Sequence, residues 1–259
     1  MSASDEQADL RALLATPQFP RASAYDPQWL MENVMGPHPL WLAEWLTQAM
    51  ELRPSQRILD LGCGRATSSI FLAREFGVHI MATDIWIKAE DNTQRVAAAG
   101  VEGRVIPISA EAHALPFGRG EFHAIVSFDA YHYFGTDDLY LGYITRFLAP
   151  GGTIGIVVPG VREEITDQVP AHLLPWWDWE FCSFHSTAWW RRHWEKTGLV
   201  KVTAADWLAD GWKLWMDWCD CCAVHGPLSW RSLMEREAEM LRADAGRTFG
   251  FVRIIAGKC

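Results

Sequence analysis

Residues 57–77, RILDLGCGRATSSIFLAREFG, limit what this chain can fold into more than any other stretch. Ile58 to Leu61 read as a short buried strand. Gly62, Cys63 and Gly64 make a tight turn. Ala66 to Phe76 then carry helix formers, with an apolar stripe at Ile70, Ala73 and Phe76. Strand, glycine turn and helix in succession make a nucleotide-binding start. Glycine serves such a turn because a Cβ would block both the sharp bend and a close ligand.

The turn is not the dinucleotide fingerprint, which has three glycines and a helix N-terminus open to phosphate. Asp60 stands just before the glycines. An acid there repels phosphate and suits a cationic or hydroxyl-bearing ligand. The next strand, Val78 to Thr83, ends in Asp84, placed to take two ribose hydroxyls. An NAD-linked enzyme is therefore disfavoured.

These residues resemble the class I S-adenosylmethionine-dependent methyltransferases, of the small-molecule type. The first motif of that family is an acid before a Gly-x-Gly turn, here Asp60 to Gly64. Its second is an acid ending strand two, here Asp84. The resemblance implies S-adenosyl-L-methionine as cofactor. It also implies an α/β fold: a Rossmann-like, mostly parallel seven-stranded sheet with helices on both faces and an aromatic-rich helical cap. The last strand is expected to insert antiparallel beside strand five.

Residue roles follow from the same resemblance. Asp60, Gly62 and Gly64 receive the amino-acid end of the cofactor, and Asp84 the ribose. Ile85 and Trp86 cover the adenine face. In Ser109 to Phe117, Glu111 and Ala112 match the segment that meets the adenine edge, although Asp is commoner than Glu there. Ser127 and Phe128 lie beside the cofactor at the end of strand four. His132 is the candidate base, since a histidine near its reference pKa can take a proton at neutral pH. Tyr131 and Tyr133 are candidates for orienting the acceptor. Tyr25, Trp29 and Met35 precede the first strand, where the family's helices shape the substrate entrance. They can equally pack on the sheet.

The remaining elements alternate as an α/β chain does. Helices are expected over residues 39–50, 88–99 and 136–148, the last capped by Thr136. Strands are expected over 104–108, 122–128 and 152–158. A short helical element within Glu6 to Ala15 is assigned no function, and 161–170 reads as a short helix and loop. Residues 176–194 are helical after Ser186. A strand at 200–205, helices at 211–224 and 228–244, and a strand at 248–255 follow. The divisions are 1–52, an N-terminal helical segment; 53–160, the cofactor-binding core; and 161–259, the rest of that core with cap insertions.

Fifteen tryptophans in 259 residues crowd between Trp176 and Trp230. They are core or they line a pocket for an organic acceptor. Trp176, Trp177 and Arg191 are the candidates named for the acceptor. The cluster Cys219, Cys221, Cys222 and His225 lacks zinc spacing and a second ligand pair, so no metal is expected.

With 32 acids against 23 bases the net charge is -9, which signals no nucleic-acid surface. No apolar run reaches the roughly 20 residues of a membrane span. Six cysteines make no dense disulfide framework. A cytoplasmic setting with a small-molecule partner is expected, and oligomerisation is not indicated. The competing readings are methylation of a macromolecule and a non-catalytic cofactor-binding protein.

Overall fold

The computed structural model describes residues 10–259. The seven strands are β1 (Arg57–Leu61), β2 (His79–Asp84), β3 (Val105–Ser109), β4 (Phe122–Phe128), β5 (Leu148–Val161), β6 (Val200–Trp207) and β7 (Phe249–Lys258). They form one sheet in the order β3-β2-β1-β4-β5-β7-β6. The first five are parallel. β7 runs antiparallel to both β5 and β6, as the resemblance implied. The chain moves outward from β1 to β3, then returns to place β4 on the other side of β1. That reversal opens a crevice at the carboxyl ends of β1 and β4, where open α/β sheets bind ligands.

Both faces of the sheet are covered. Ile58 belongs to one core cluster with Leu42, Leu46, Ile70 and Phe71. Its neighbours Leu59 and Leu61 belong to the other, with Tyr140, Trp190 and Trp194. This is the side-chain alternation of a strand buried on both faces.

The helices are α1 (Pro27–Glu32), α2 (Pro39–Thr47), α3 (Thr67–Phe76), α4 (Ala89–Ala98), α5 (Tyr140–Ile144), α6 (Thr187–Glu195), α7 (Gly211–His225) and α8 (Arg231–Asp244). Local chemistry starts several of them. Asp26 caps α1, with proline at its first position. Ser186 Oγ accepts from the Trp189 amide at 3.2 Å and begins α6. A helical stretch at residues 10–14 covers part of the expected N-terminal element, and residues 1–9 lie outside the described residues.

Three expectations need correction. The helix from Thr136 to Leu148 is only α5 and a 3-10 turn, Thr145–Phe147. The Asp137 carboxylate takes the Leu139 amide, and Leu148 already pairs with Phe122 in the sheet. Residues 162–170 form no helix. The aromatic helix α6 is no cap. Trp190 and Trp194 are fully buried and pack on the sheet face with Val200, Val252 and Ile254. Helical cover lies instead in α7 and α8, inserted between β6 and β7, where Trp218 meets the segment before α2.

Candidate functional site

The glycine turn is built by its neighbours. The Gly62 and Cys63 amides both donate to the Thr83 carbonyl at 2.9 Å, tying the turn to the end of β2. Gly62 has φ +73°, and a Cβ there would stand 2.4 Å from the Ala130 Cβ. Gly64 has φ +52°. The Gly64 amide donates to Asp84 Oδ2 at 2.8 Å, and its carbonyl accepts from Asn92 Nδ2 at 2.8 Å. The turn is thereby held from β2 and α4 at once.

Asp84 also accepts the Trp86 and Ile87 amides on Oδ1, at 2.8 and 2.9 Å. Three backbone amides fix its carboxylate at the strand end. Lone pairs remain for a ligand, since a carboxylate offers about four acceptor sites.

Asp60 is fully buried beneath the turn. Its Oδ2 accepts from Ser68 and Ser69 of α3 at 2.7 and 2.6 Å. Its Oδ1 has no partner among the described residues. Burial pushes this carboxyl up to about 6, the Ser69 and Ser68 hydroxyls oppose the rise and Asp84 adds to it. A buried carboxylate with one orphaned oxygen is costly and suits a cationic or donor group.

Above the turn lies a cavity of about 200 Å³. Gly62, Gly64, Asp84, Ile85, Trp86, Glu111, Ala112, Phe128, Met35 and Tyr133 all line it. Ten residues named from the sequence thus share one cavity. Trp86 and Tyr133 are exposed at its rim and meet edge to face, with ring centroids 6.0 Å apart. Glu111 is anchored on the amide and ring of His113 at 2.9 and 2.8 Å.

Other named residues lie elsewhere. Ser127 is buried and donates its hydroxyl to the Leu61 carbonyl at 2.6 Å, joining two strands. Tyr131 is fully buried among Tyr140, Trp190 and Trp194, because the 3-10 turn Tyr131–Tyr133 swings it into the core. His132 does not line the cavity. It is 1% exposed against Phe184, its Nδ1 has no partner among the described residues, and burial lowers its pKa to about 3. The imidazole is therefore held neutral and is not poised near neutral pH.

Five proposed acceptor residues, Tyr25, Trp29, Trp176, Trp177 and Arg191, are also outside this cavity. Tyr25 packs on Trp29 and Phe71 and donates to Glu75. Trp177 stacks near Phe249, and Trp176 is half-buried against the same core. Arg191 bonds Glu195 and the Val202 carbonyl on the outer side of α6. The cysteine cluster falls on α7, where Cys219 contacts Glu237 and Cys221 contacts Met31.

Sequence reading passed over several residues that shape the site. Arg65, directly after the second glycine, lines the cavity and donates to the Glu32 carbonyl at 2.6 Å. Its Nε is buried without a partner among the described residues. Arg95 bridges Asn33 and Asn92 at 3.0 Å each, linking the segment before α2 to the glycine turn. Asp129 also lines the cavity. Its position straight after β4 was the available signal.

Known proteins resemble this chain in part of its sequence and in its fold. Residues 58–152 match a family model described as a methyltransferase domain. The chain is 27% identical over 178 residues to 2-methyl-6-phytyl-1,4-hydroquinone methyltransferase of Synechocystis sp., covering 64% of this chain and 54% of that protein. It is 28% identical over 116 residues to 27-O-demethylrifamycin SV methyltransferase of Amycolatopsis mediterranei, covering 44% and 43%. The match thus spans about half the length of these curated relatives. Among solved structures, phosphoethanolamine N-methyltransferase 2 of Haemonchus contortus superposes with a TM-score of 0.72 at 18% identity, over 96% of this chain and 60% of that one. Geranyl diphosphate C-methyltransferase of Streptomyces coelicolor gives 0.64 at 19% identity, over 84% and 78%. At such identities the structural likeness is one of fold. Residues 58–152 thus match a methyltransferase domain, and the whole chain has the Rossmann-like fold of class I S-adenosylmethionine-dependent methyltransferases.

Proposed function

We propose that this protein transfers the methyl group of S-adenosylmethionine to a small organic acceptor by direct displacement. The observation that carries the reading is that the glycine turn, Asp84 and the 110–112 segment line one cavity. The residues present fit the cofactor. Asp84 takes the ribose hydroxyls through charge-assisted bonds. The Ala112 amide and Glu111 meet the adenine edge, and Ile85 and Trp86 supply apolar cover. Arg65, with its unpartnered Nε, suits the carboxylate of the amino-acid end. The orphaned Asp60 Oδ1 suits its ammonium group, directly or through water.

The bound cofactor supplies an activated methyl group. The chain's own work is to bind, align and exclude water. Phe128, Met35 and Tyr133 provide the apolar wall for that purpose. His132 is assigned no proton transfer in this reading, because its ring is buried away from the cavity lining and burial makes it a weak base.

The test is transfer of labelled methyl from S-adenosylmethionine to panels of small acceptors. Acceptor-dependent formation of S-adenosylhomocysteine supports the reading. Tight cofactor binding with no transfer to any acceptor class would leave a binding protein on a methyltransferase fold.

A further inference from the structure

Asp129 stands out on the cavity wall because neither a hydrogen-bond donor nor a cation meets its carboxyl among the described residues. Its own amide is used, donating to the Val157 carbonyl at 2.9 Å. It has φ +52°, a left-handed conformation directly after β4. The segment before α2 closes over it: a Cβ on Gly36 would stand 2.4 Å from Asp129 Oδ2. Only glycine there leaves room for the carboxylate.

The surroundings hold further acids and no cation that pairs with Asp129 among the described residues. Burial, with Glu237 of α8 adding, pushes the Asp129 carboxyl well up. The Tyr133 phenol is raised by burial, then by Asp129, Glu180 and Glu237. Glu237 is already engaged, accepting from Trp215 Nε1 at 2.9 Å and from Cys219 Sγ at 3.4 Å. Asp129 is not. A buried carboxyl without donor or counter-ion, facing a cavity beside an aromatic ring, is drawn to its charged form by a bound organic cation, which it then holds by charge together with the ring face.

We propose that the methyl acceptor is an amine that enters as its ammonium ion and pairs with Asp129. This rests on the cavity being the S-adenosylmethionine site. Methylation then balances. The ammonium gives one proton to Asp129, and the freed nitrogen lone pair forms the new bond to the methyl carbon. The pair of the breaking carbon–sulfur bond stays on sulfur. The methylated product leaves as its ammonium ion and Asp129 releases its proton to water. An amine needs this step, since a protonated nitrogen has no lone pair to attack with.

The experiment measures binding and does not require the natural substrate. Purified protein is loaded with S-adenosylhomocysteine and titrated with benzyltrimethylammonium, benzylammonium and the neutral benzyl alcohol. The two cations are expected to bind at least tenfold more tightly than the alcohol. Asp129→Asn should remove that preference while S-adenosylhomocysteine affinity stays within about twofold, which also verifies that the variant is folded. Glu237→Gln, which leaves the Asp129 carboxyl in place, should retain most of the preference. Equal affinity for cations and alcohol, no binding of any probe to loaded protein, or a preference that survives Asp129→Asn would overturn the amine assignment. Failure of S-adenosylhomocysteine itself to bind would instead overturn the cofactor reading beneath it.

Discussion

Trp218 donates its indole N–H to the Gly36 carbonyl at 2.8 Å, across 182 positions of sequence. The bond joins α7 to the segment that closes over the cavity. His38, stacked on Trp41 with ring centroids 4.0 Å apart, packs against the same indole. Trp218→Phe keeps most of the ring and leaves the Gly36 carbonyl unpaired. Stability in urea should fall by about 1–3 kcal/mol, the cost of one orphaned buried acceptor.

Two glycines of positive φ, Gly100 after α4 and Gly62 in the glycine turn, separate two costs. Gly100 has φ +67° with open space around it, so Gly100→Ala should cost about 1–2 kcal/mol from the left-handed backbone alone. Gly62→Ala adds a 2.4 Å clash with Ala130 and should cost about 2–5 kcal/mol. Denaturation midpoints of the two variants check the order.

Asp60 predicts a pH dependence. Its folded-state value of about 6 lies above the ordinary 3.8, so the folded chain holds the proton more tightly. That contribution is full below about pH 4 and is lost as pH rises through about 6, amounting to about 3 kcal/mol at most. Asp60→Asn should therefore flatten the decline in ligand-free stability between pH 4 and 7. It should also weaken S-adenosylmethionine binding. A cofactor ammonium near Asp60 favours the carboxylate, so the wild-type decline should shrink when cofactor is bound. Urea titrations at several pH values measure both effects.

The aromatic helix α6 supports the sheet. Trp190→Ala should cost about 3–5 kcal/mol of stability, as large core deletions do, with cofactor affinity of the folded fraction unchanged. Arg191→Ala should alter stability by less than about 0.5 kcal/mol and leave cofactor binding intact. A selective loss of acceptor binding in either variant would return α6 to the pocket.

The cofactor half of the site was legible because it is local. Asp60, Gly62, Gly64 and Asp84 lie at strand ends or in a turn, where strand pattern and glycine placement fix position. The acceptor half depends on contacts far apart in sequence. The run of tryptophans marks burial without saying against what, so core and pocket lining stayed open until the structure placed Trp190 and Trp194 against the sheet. At the end of β4, titration near neutrality drew attention to His132. The 3-10 turn at Tyr131–Tyr133 buries that histidine, while Asp129 and Tyr133 line the cavity. Arg65 and Arg95 could not be placed because their partners, Glu32 and Asn33, lie more than thirty residues earlier in the chain.

Calorimetric titration of ligand-free protein with S-adenosylmethionine, for wild type and Asp84→Ala, tests the central claim most directly. One binding site is predicted, weakened by about 100-fold in the variant, which corresponds to two lost charge-assisted hydrogen bonds. Circular dichroism of the variant confirms its fold. Absence of binding to folded wild-type protein, by heat and by thermal shift alike, or full affinity in Asp84→Ala, would contradict the account.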